Sequence, residues 1–172
     1  MPTPDRLIDL ATPAVRDATR AYLKSRNTAT FERTMQQALA RAHTAAYVRG
    51  TADRTGIMPK GLSRAERDDV KARVKEQAAY LQGFAQAAPD LSDAQIAQRS
   101  ALYLGAVRAT YYGAAFPGLP SYPGDGSTAC KSNCKCSLEA RDSGVWWVLG
   151  AAEHCSDCEA RAADSPYEME ER

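Results

Sequence analysis

The sequence predicts a mainly α-helical protein. It divides into a helical bundle over residues 1–115, a small zinc-stapled β-hairpin appendage over residues 116–163 and a flexible acidic tail over residues 164–172. Three observations lead there. Apolar residues recur at three- and four-residue steps through much of the first 115 positions, which is the period of an amphipathic helix. The stretch FPGLPSYPGDGST, from Phe116, then places three prolines and three glycines in a span that no helix can cross. Beyond it lie all five cysteines and both tryptophans of the chain.

In chain order, residues 5–26 read as helical. Thr12 is a candidate cap and Pro13 a candidate first helical position, which would divide the stretch into two short helices. Residues 29–49 form a clearer helix, because Phe31, Met35, Ala38, Leu39, Ala42, Ala45 and Ala46 line one face, and Gly50 is expected to end it. His43 sits beside that face and reads as a partly buried packing residue, with no second histidine or acid at helical spacing to complete a site. TADRTGIMPKGL, residues 51–62, is expected to be a loop. Ser63 with Glu66 is a capping box, and Val70, Val74, Ala78, Leu81 and Ala85 carry an apolar stripe to about Ala88. Pro89-Asp90 stops that helix. Ser92 with Gln95 opens another, along Ile96, Ser100, Tyr103, Val107 and Tyr111 to about Gly113, so the pair should form an antiparallel hairpin. Tyr103, Tyr111 and Tyr112 read as core volume with wet hydroxyls rather than as a binding face.

In the C-terminal part, Cys136 to Ala140 is a candidate strand. Arg141-Asp142-Ser143-Gly144 supplies a turn, and Val145-Trp146-Trp147-Val148-Leu149 is a β-branched and aromatic partner strand. Neighbours on a strand face opposite sides, so one of Trp146 and Trp147 should pack inward and the other point out. Cys158 to Ala163 should begin a short helix, and PYEMEER reads as a frayed acidic tail.

The cysteines carry the chemistry. Cys130, Cys134 and Cys136 form one cluster and Cys155 and Cys158 another, on either side of the hairpin. Paired thiols around a short insert are the spacing of a structural zinc site. The expected ligands are Cys130, Cys134, Cys155 and Cys158, with Cys136 as an alternative to Cys134, since residues two apart on an extended chain share a side. His154 adjoins Cys155 and is set aside, because adjacent side chains rarely reach one metal when a Cys-x-x-Cys partner is present. The odd thiol count and tight local pairs favour metal over disulfides.

Composition limits the remaining classes. Hydrophobic residues make up 44% of the 172, enough for a core, but Phe occurs only three times. Abundant alanine therefore implies close helix packing. There is no run of 18 apolar residues, and MPTPDRLIDL lacks the basic and apolar regions of a signal peptide, so the expectation is a cytoplasmically made protein with no membrane partner. Lys and Arg outnumber Asp and Glu by 17 to 11 through Ala115, and are outnumbered 10 to 5 afterwards. The helical part is basic and the cysteine part acidic.

Phe31-x3-Met35-x3-Leu39-x2-Ala42-His43-x2-Ala46-Tyr47-x2-Gly50, then Leu102-Tyr103-x3-Val107-Arg108-x-Thr110-Tyr111-Tyr112, then Leu119-Pro120-x-Tyr122-Pro123-Gly124-Asp125-Gly126-Ser127-Thr128-x-Cys130-x3-Cys134-Lys135-Cys136, resembles phage head-morphogenesis or minor head (minor capsid) proteins of the Mu F-like group. The specific part is Asn133-Cys134-Lys135-Cys136, similar to that group's Asn-Cys-Arg-Cys signature. The resemblance implies a virion component assembled in the bacterial host cytoplasm, without catalytic residues or a small-molecule substrate. Its partners would be capsid, portal or scaffold subunits, with packaged DNA a possible contact of the basic helices. The alternative is a nucleic-acid-binding zinc ribbon, against which stands the acidity of the cysteine part. A zinc deaminase needs H-x-E and P-C-x-x-C; here Glu153 precedes His154 directly and no proline precedes Cys155.

Overall fold

The computed structural model describes residues 4–151 and 153–168. It is mainly helical, with one small antiparallel sheet near the C-terminus. The helices are α1 (Pro4–Ser25), α2 (Thr28–Thr55), α3 (Arg64–Ala87), α4 (Asp93–Leu102), α5 (Val107–Ala115) and α6 (Ser156–Ala163); the strands are β1 (Ser137–Arg141) and β2 (Gly144–Val148).

Helix α2 is the centre of the bundle, packed by α1, α3 and α5. Its buried stripe of Phe31, Met35, Ala38, Leu39, Ala42 and Ala46 meets Val15 and Tyr22 of α1, Leu81 and Phe84 of α3, and Val107 of α5 in one apolar core. The scarce phenylalanines are used in series: Tyr22–Phe31, Phe31–Phe84 and Phe84–Tyr103 ring centroids lie 4.7, 5.7 and 5.9 Å apart. Such contacts add to the stabilisation from area burial alone.

Both predicted capping boxes form, at Ser63 with Glu66 and at Ser92 with Gln95. Other expectations require correction. Helix α1 runs unbroken through Pro13, so Thr12 is not a cap; its hydroxyl donates to the Ile8 carbonyl at 2.8 Å. The missing hydrogen bond at Pro13 is offset by Leu7, Ile8, Ala11, Val15 and Tyr22, which keep both halves of α1 on the same core. Helix α2 does not end at Gly50, and residues 51–55 are helical rather than loop; the true end is Gly56, whose φ of 72° is the left-handed cap. Gly50 is instead the crossing point with α5, where an added Cβ would lie 2.3 Å from the Tyr111 carbonyl oxygen. The expected single helix from Ser92 to Gly113 is two, α4 and α5, joined by a 3-10 turn over Tyr103–Ala106 and ending at Ala115.

His43 is not partly buried but almost fully so, at 1% exposure. The side-chain amide of Gln77 donates to the Tyr103 carbonyl at 3.1 Å, which leaves its oxygen facing His43 Nε2 at 2.9 Å. That oxygen can only accept, so Nε2 carries a proton, and in the neutral ring Nδ1 accepts from the Thr110 hydroxyl at 2.6 Å. Burial, assisted by the Arg73 charge, lowers the His43 pKa. A base whose folded pKa is depressed contributes stability that is complete above its unfolded pKa, about 6.5, and is lost as pH falls below that value. The thermal midpoint should accordingly fall between pH 7.5 and 5.5, a range above most carboxylate titrations, and a His43→Gln variant should respond less steeply. Equal slopes for the two proteins in a melting series would contradict this.

The hairpin registers Leu138 opposite Trp147 and Glu139 opposite Trp146. Its loop is two residues, Asp142-Ser143, so each strand is displaced by one position from the expected Cys136–Ala140 and Val145–Leu149. Gly144 takes φ 128°, and a Cβ there would lie 2.5 Å from the Tyr167 carbonyl oxygen. Tyr167 exchanges both backbone hydrogen bonds with Val145, at 3.0 and 2.8 Å. Residues 164–168 of the expected flexible tail are therefore docked through Tyr167; residues 169–172 lie outside the described residues. Trp147 is buried at 3% exposure, and Trp146 is half-buried on the opposite face with the Arg141 guanidinium 5.3 Å from its ring.

Candidate metal centre

The first knuckle is built on a turn whose Lys131 N–H donates to the Thr128 carbonyl at 2.8 Å, followed by a 3-10 turn over Lys131–Asn133. Lys131 adopts φ 49°, a left-handed conformation that folds Cys130 back toward Cys134. The second knuckle is the start of α6. That helix begins at Ser156 rather than Cys158, with Cys155 in the capping position and the Cys158 N–H donating to the Cys155 carbonyl at 3.0 Å. Asp157, which sequence reasoning did not single out, ties the two knuckles together by accepting the Ala129 N–H at 2.7 Å.

All five cysteines are free thiols, and all five converge. The Cys130–Cys158 and Cys134–Cys158 Sγ atoms are 3.6 Å apart, and Cys155–Cys130 3.7 Å. A disulfide would require about 2.05 Å. Four thiolates at about 2.3 Å from a tetrahedral zinc ion stand about 3.8 Å from one another, and these three separations match that edge. The mutually close groups are two trios, Cys130–Cys155–Cys158 and Cys134–Cys136–Cys158, with Cys158 in both. Each expected ligand lies in the cluster, and so does Cys136. His154 lies in neither trio, and among the described residues the trios are made of thiols alone. This cluster could hold a metal ion.

Burial pushes the Cys134 thiol up to about 12 and raises Cys158 as well. Cys155 moves the other way, down to about 7, chiefly because the Cys158 backbone N–H points at its sulfur. A bound divalent cation takes its thiol ligands as thiolates, so loading releases protons and strengthens as pH rises.

The module is fastened to the bundle by residues that carry no metal. Arg108 of α5 donates from Nη1 to the Cys134 carbonyl at 2.6 Å, and from Nη2 to Asp5 of α1. Both are charge-assisted bonds, on a side chain only 12% exposed. Gly105 lies in the 3-10 turn between α4 and α5, and a Cβ there would meet the Ser132 carbonyl oxygen at 2.0 Å. The knuckle thus lands on the interruption between the two helices. Tyr112 completes the contact, packing with Leu138, Val145, Trp147, Cys134, Cys136 and Cys158 in a second apolar cluster. No local signal marks Arg108 for this role, because its partners lie 26 and 103 residues away.

Comparison of the chain with protein-family models, with curated proteins and with solved structures gives no match.

Proposed function

We propose that this chain is a structural, non-enzymatic head-assembly protein of a phage or prophage, a minor head component that binds capsid or portal subunits, and that its thiol cluster holds one structural zinc ion. The observation that carries the zinc reading is the convergence of the thiols at Sγ separations of 3.6 to 3.7 Å. Zinc, rather than a hard cation, suits an all-sulfur donor set. The head-assembly reading is supported by the similarity of Asn133-Cys134-Lys135-Cys136 to the minor head signature and by the division of charge, basic in the helices and acidic in the module. Complementary patches of that kind orient subunits as they meet.

Trp146 is the side chain best placed to touch a partner, since it stands on the face of the hairpin opposite Trp147, half-buried, with the exposed Arg141 over its ring. Elemental analysis of protein purified under reducing conditions should find one zinc per chain. Deleting the chain should give absent or defective heads. Trp146→Ala should keep zinc and thermal stability while incorporation into heads falls at least tenfold; incorporation at the unsubstituted level would remove Trp146 from the interface. Zinc well below one equivalent would overturn the metal reading, and normal heads without the chain would overturn the assembly reading.

Packaged DNA as a further contact has one observation in its favour. Arg67, Lys71 and Lys75 are exposed along one side of α3, beside Ala40 and Thr44 of α2. Retention on DNA that declines with salt, and declines further when these three are replaced by glutamine, would support it.

A further inference from the structure

Five thiols meet where one tetrahedral ion needs four, and no four of them are mutually close. The close groups are the two trios, Cys130–Cys155–Cys158 and Cys134–Cys136–Cys158, joined at Cys158 alone. Cys158 stands 3.6 Å from Cys130 in the first trio and 3.6 Å from Cys134 in the second. The trios differ in access. Every thiol of the second is buried, whereas Cys130 and Cys155 of the first are half-buried. Each trio has a backbone N–H aimed at one of its sulfurs, from Cys158 toward Cys155 and from Cys136 toward Cys134, which favours the thiolate form. A zinc ion must draw its four thiolates from both trios and leaves one thiol over. Two ions each satisfied by three thiolates would use all five, with the Cys158 sulfur as the bridge between them.

We infer that the cluster is also a site for two soft monovalent cations of the copper(I) type, one in each trio, with Cys158 as the shared thiolate. The inference rests on the metal reading above and extends it: the same sulfurs hold one zinc ion or two monovalent ions. An all-thiolate donor set selects soft metals, copper(I) among them, and this filled-shell ion completes a planar shell with three sulfurs. The exchange involves no change of oxidation state. One Zn²⁺ leaves, two Cu⁺ enter and the fifth thiol gives its proton to solvent, so the site gains one unit of negative charge. Arg108, whose guanidinium donates to the Cys134 carbonyl at 2.6 Å, lies beside the buried trio and offsets that charge. The half-buried trio is the point of entry, and through it a zinc-loaded chain is open to displacement by copper.

The test uses the full chain, reduced and free of oxygen, loaded with zinc and then titrated with copper(I) in the presence of bicinchoninate, a chelator that keeps copper(I) from isolated thiols. Native mass spectrometry counts both metals on each chain, and X-ray absorption reads the neighbours of copper. The expected result is release of one zinc and uptake of two copper(I) ions, each with three sulfur neighbours and with the other copper across the bridging thiolate. The Cys136→Ser protein keeps the four thiols assigned to zinc but breaks the buried trio. It should bind one zinc as before, which shows that the module folds, yet accept only one copper(I), with no copper neighbour. Saturation of the unsubstituted chain at any number other than two would overturn the inference, as would two ions with no copper–copper contact or two ions in the Cys136→Ser protein. Each of those outcomes leaves the zinc reading standing. A chain that takes up no zinc at the outset would overturn the metal reading and the inference with it.

Discussion

Replacing Cys158 with serine is expected to abolish metal binding and unfold the C-terminal module while leaving α1 to α5 largely helical. No other thiol belongs to both trios, so no rearrangement of the remaining four restores the shell around the same point. The module has little else to hold it. A two-stranded sheet is marginal in water by itself, and of the large side chains in its apolar cluster Tyr112, Leu138, Val145 and Trp147 are buried while Phe116, Leu119, Tyr122 and Tyr167 are only partly so. Against that, zinc bound by knuckles of this kind contributes on the order of 10 kcal/mol to folding. The bundle has its own core, running from Val15 to Val107, and does not draw on the thiols. Because both tryptophans of the chain lie in β2, their emission reports the module alone, while far-ultraviolet dichroism reports mainly the helices. The serine variant should show red-shifted tryptophan emission, no bound zinc and most of its helical signal. Unchanged emission would mean that the hairpin stands without metal. Loss of the whole helical signal would mean that the Arg108 and Gly105 contacts make the two parts one cooperative unit.

Gly50→Ala is expected to destabilise the bundle by about 2 kcal/mol or more, although alanine is the better helix former by about 1 kcal/mol. The second effect wins because of where the methyl group would go. It would stand 2.3 Å from the Tyr111 carbonyl oxygen and 2.9 Å from the Ala114 Cβ, and neither is the end of a flexible side chain that could swing away. Helix α5 would have to move as a body. That movement would strain the 2.8 Å hydrogen bond from the Tyr111 hydroxyl to Asp53 and shift Tyr112, which packs against the cysteine module. Urea unfolding followed by dichroism should show a lower midpoint, corresponding to a melting temperature about 5 °C lower for a chain of this size. A midpoint equal to or above that of the unsubstituted protein would show that the helices separate freely here.

Signals that act over three or four residues were legible. Ser63 with Glu66 and Ser92 with Gln95 start helices because the capping contacts are made within one turn, whatever lies elsewhere. The hairpin was legible from its turn residues and β-branched strands, to within one position. The opposite facing of Trp146 and Trp147 follows from the pleat alone. The cysteine cluster was legible as a pair of knuckles, because thiol spacing at each knuckle is set by local chain geometry.

What the chain order could not disclose were the features made by distant segments meeting. Gly50 reads as a helix end in one dimension and is a helix crossing in three, since the backbone it must approach is about sixty residues further on. Pro13 reads as a boundary, and only the apolar core beneath α1 carries the helix through it. The 3-10 turn over Tyr103–Ala106 follows no visible breaker except Gly105, and its purpose is the knuckle that lands there. Cys136 reads as an alternative to Cys134, two positions away, and the fold sets both of them beside Cys158, which lies 22 residues beyond Cys136. Local hydrogen bonding is settled by neighbours in sequence. Close approach, burial and the convergence of ligands are settled by whichever surfaces the packed chain brings together, and no window of a few residues contains both sides of such a contact.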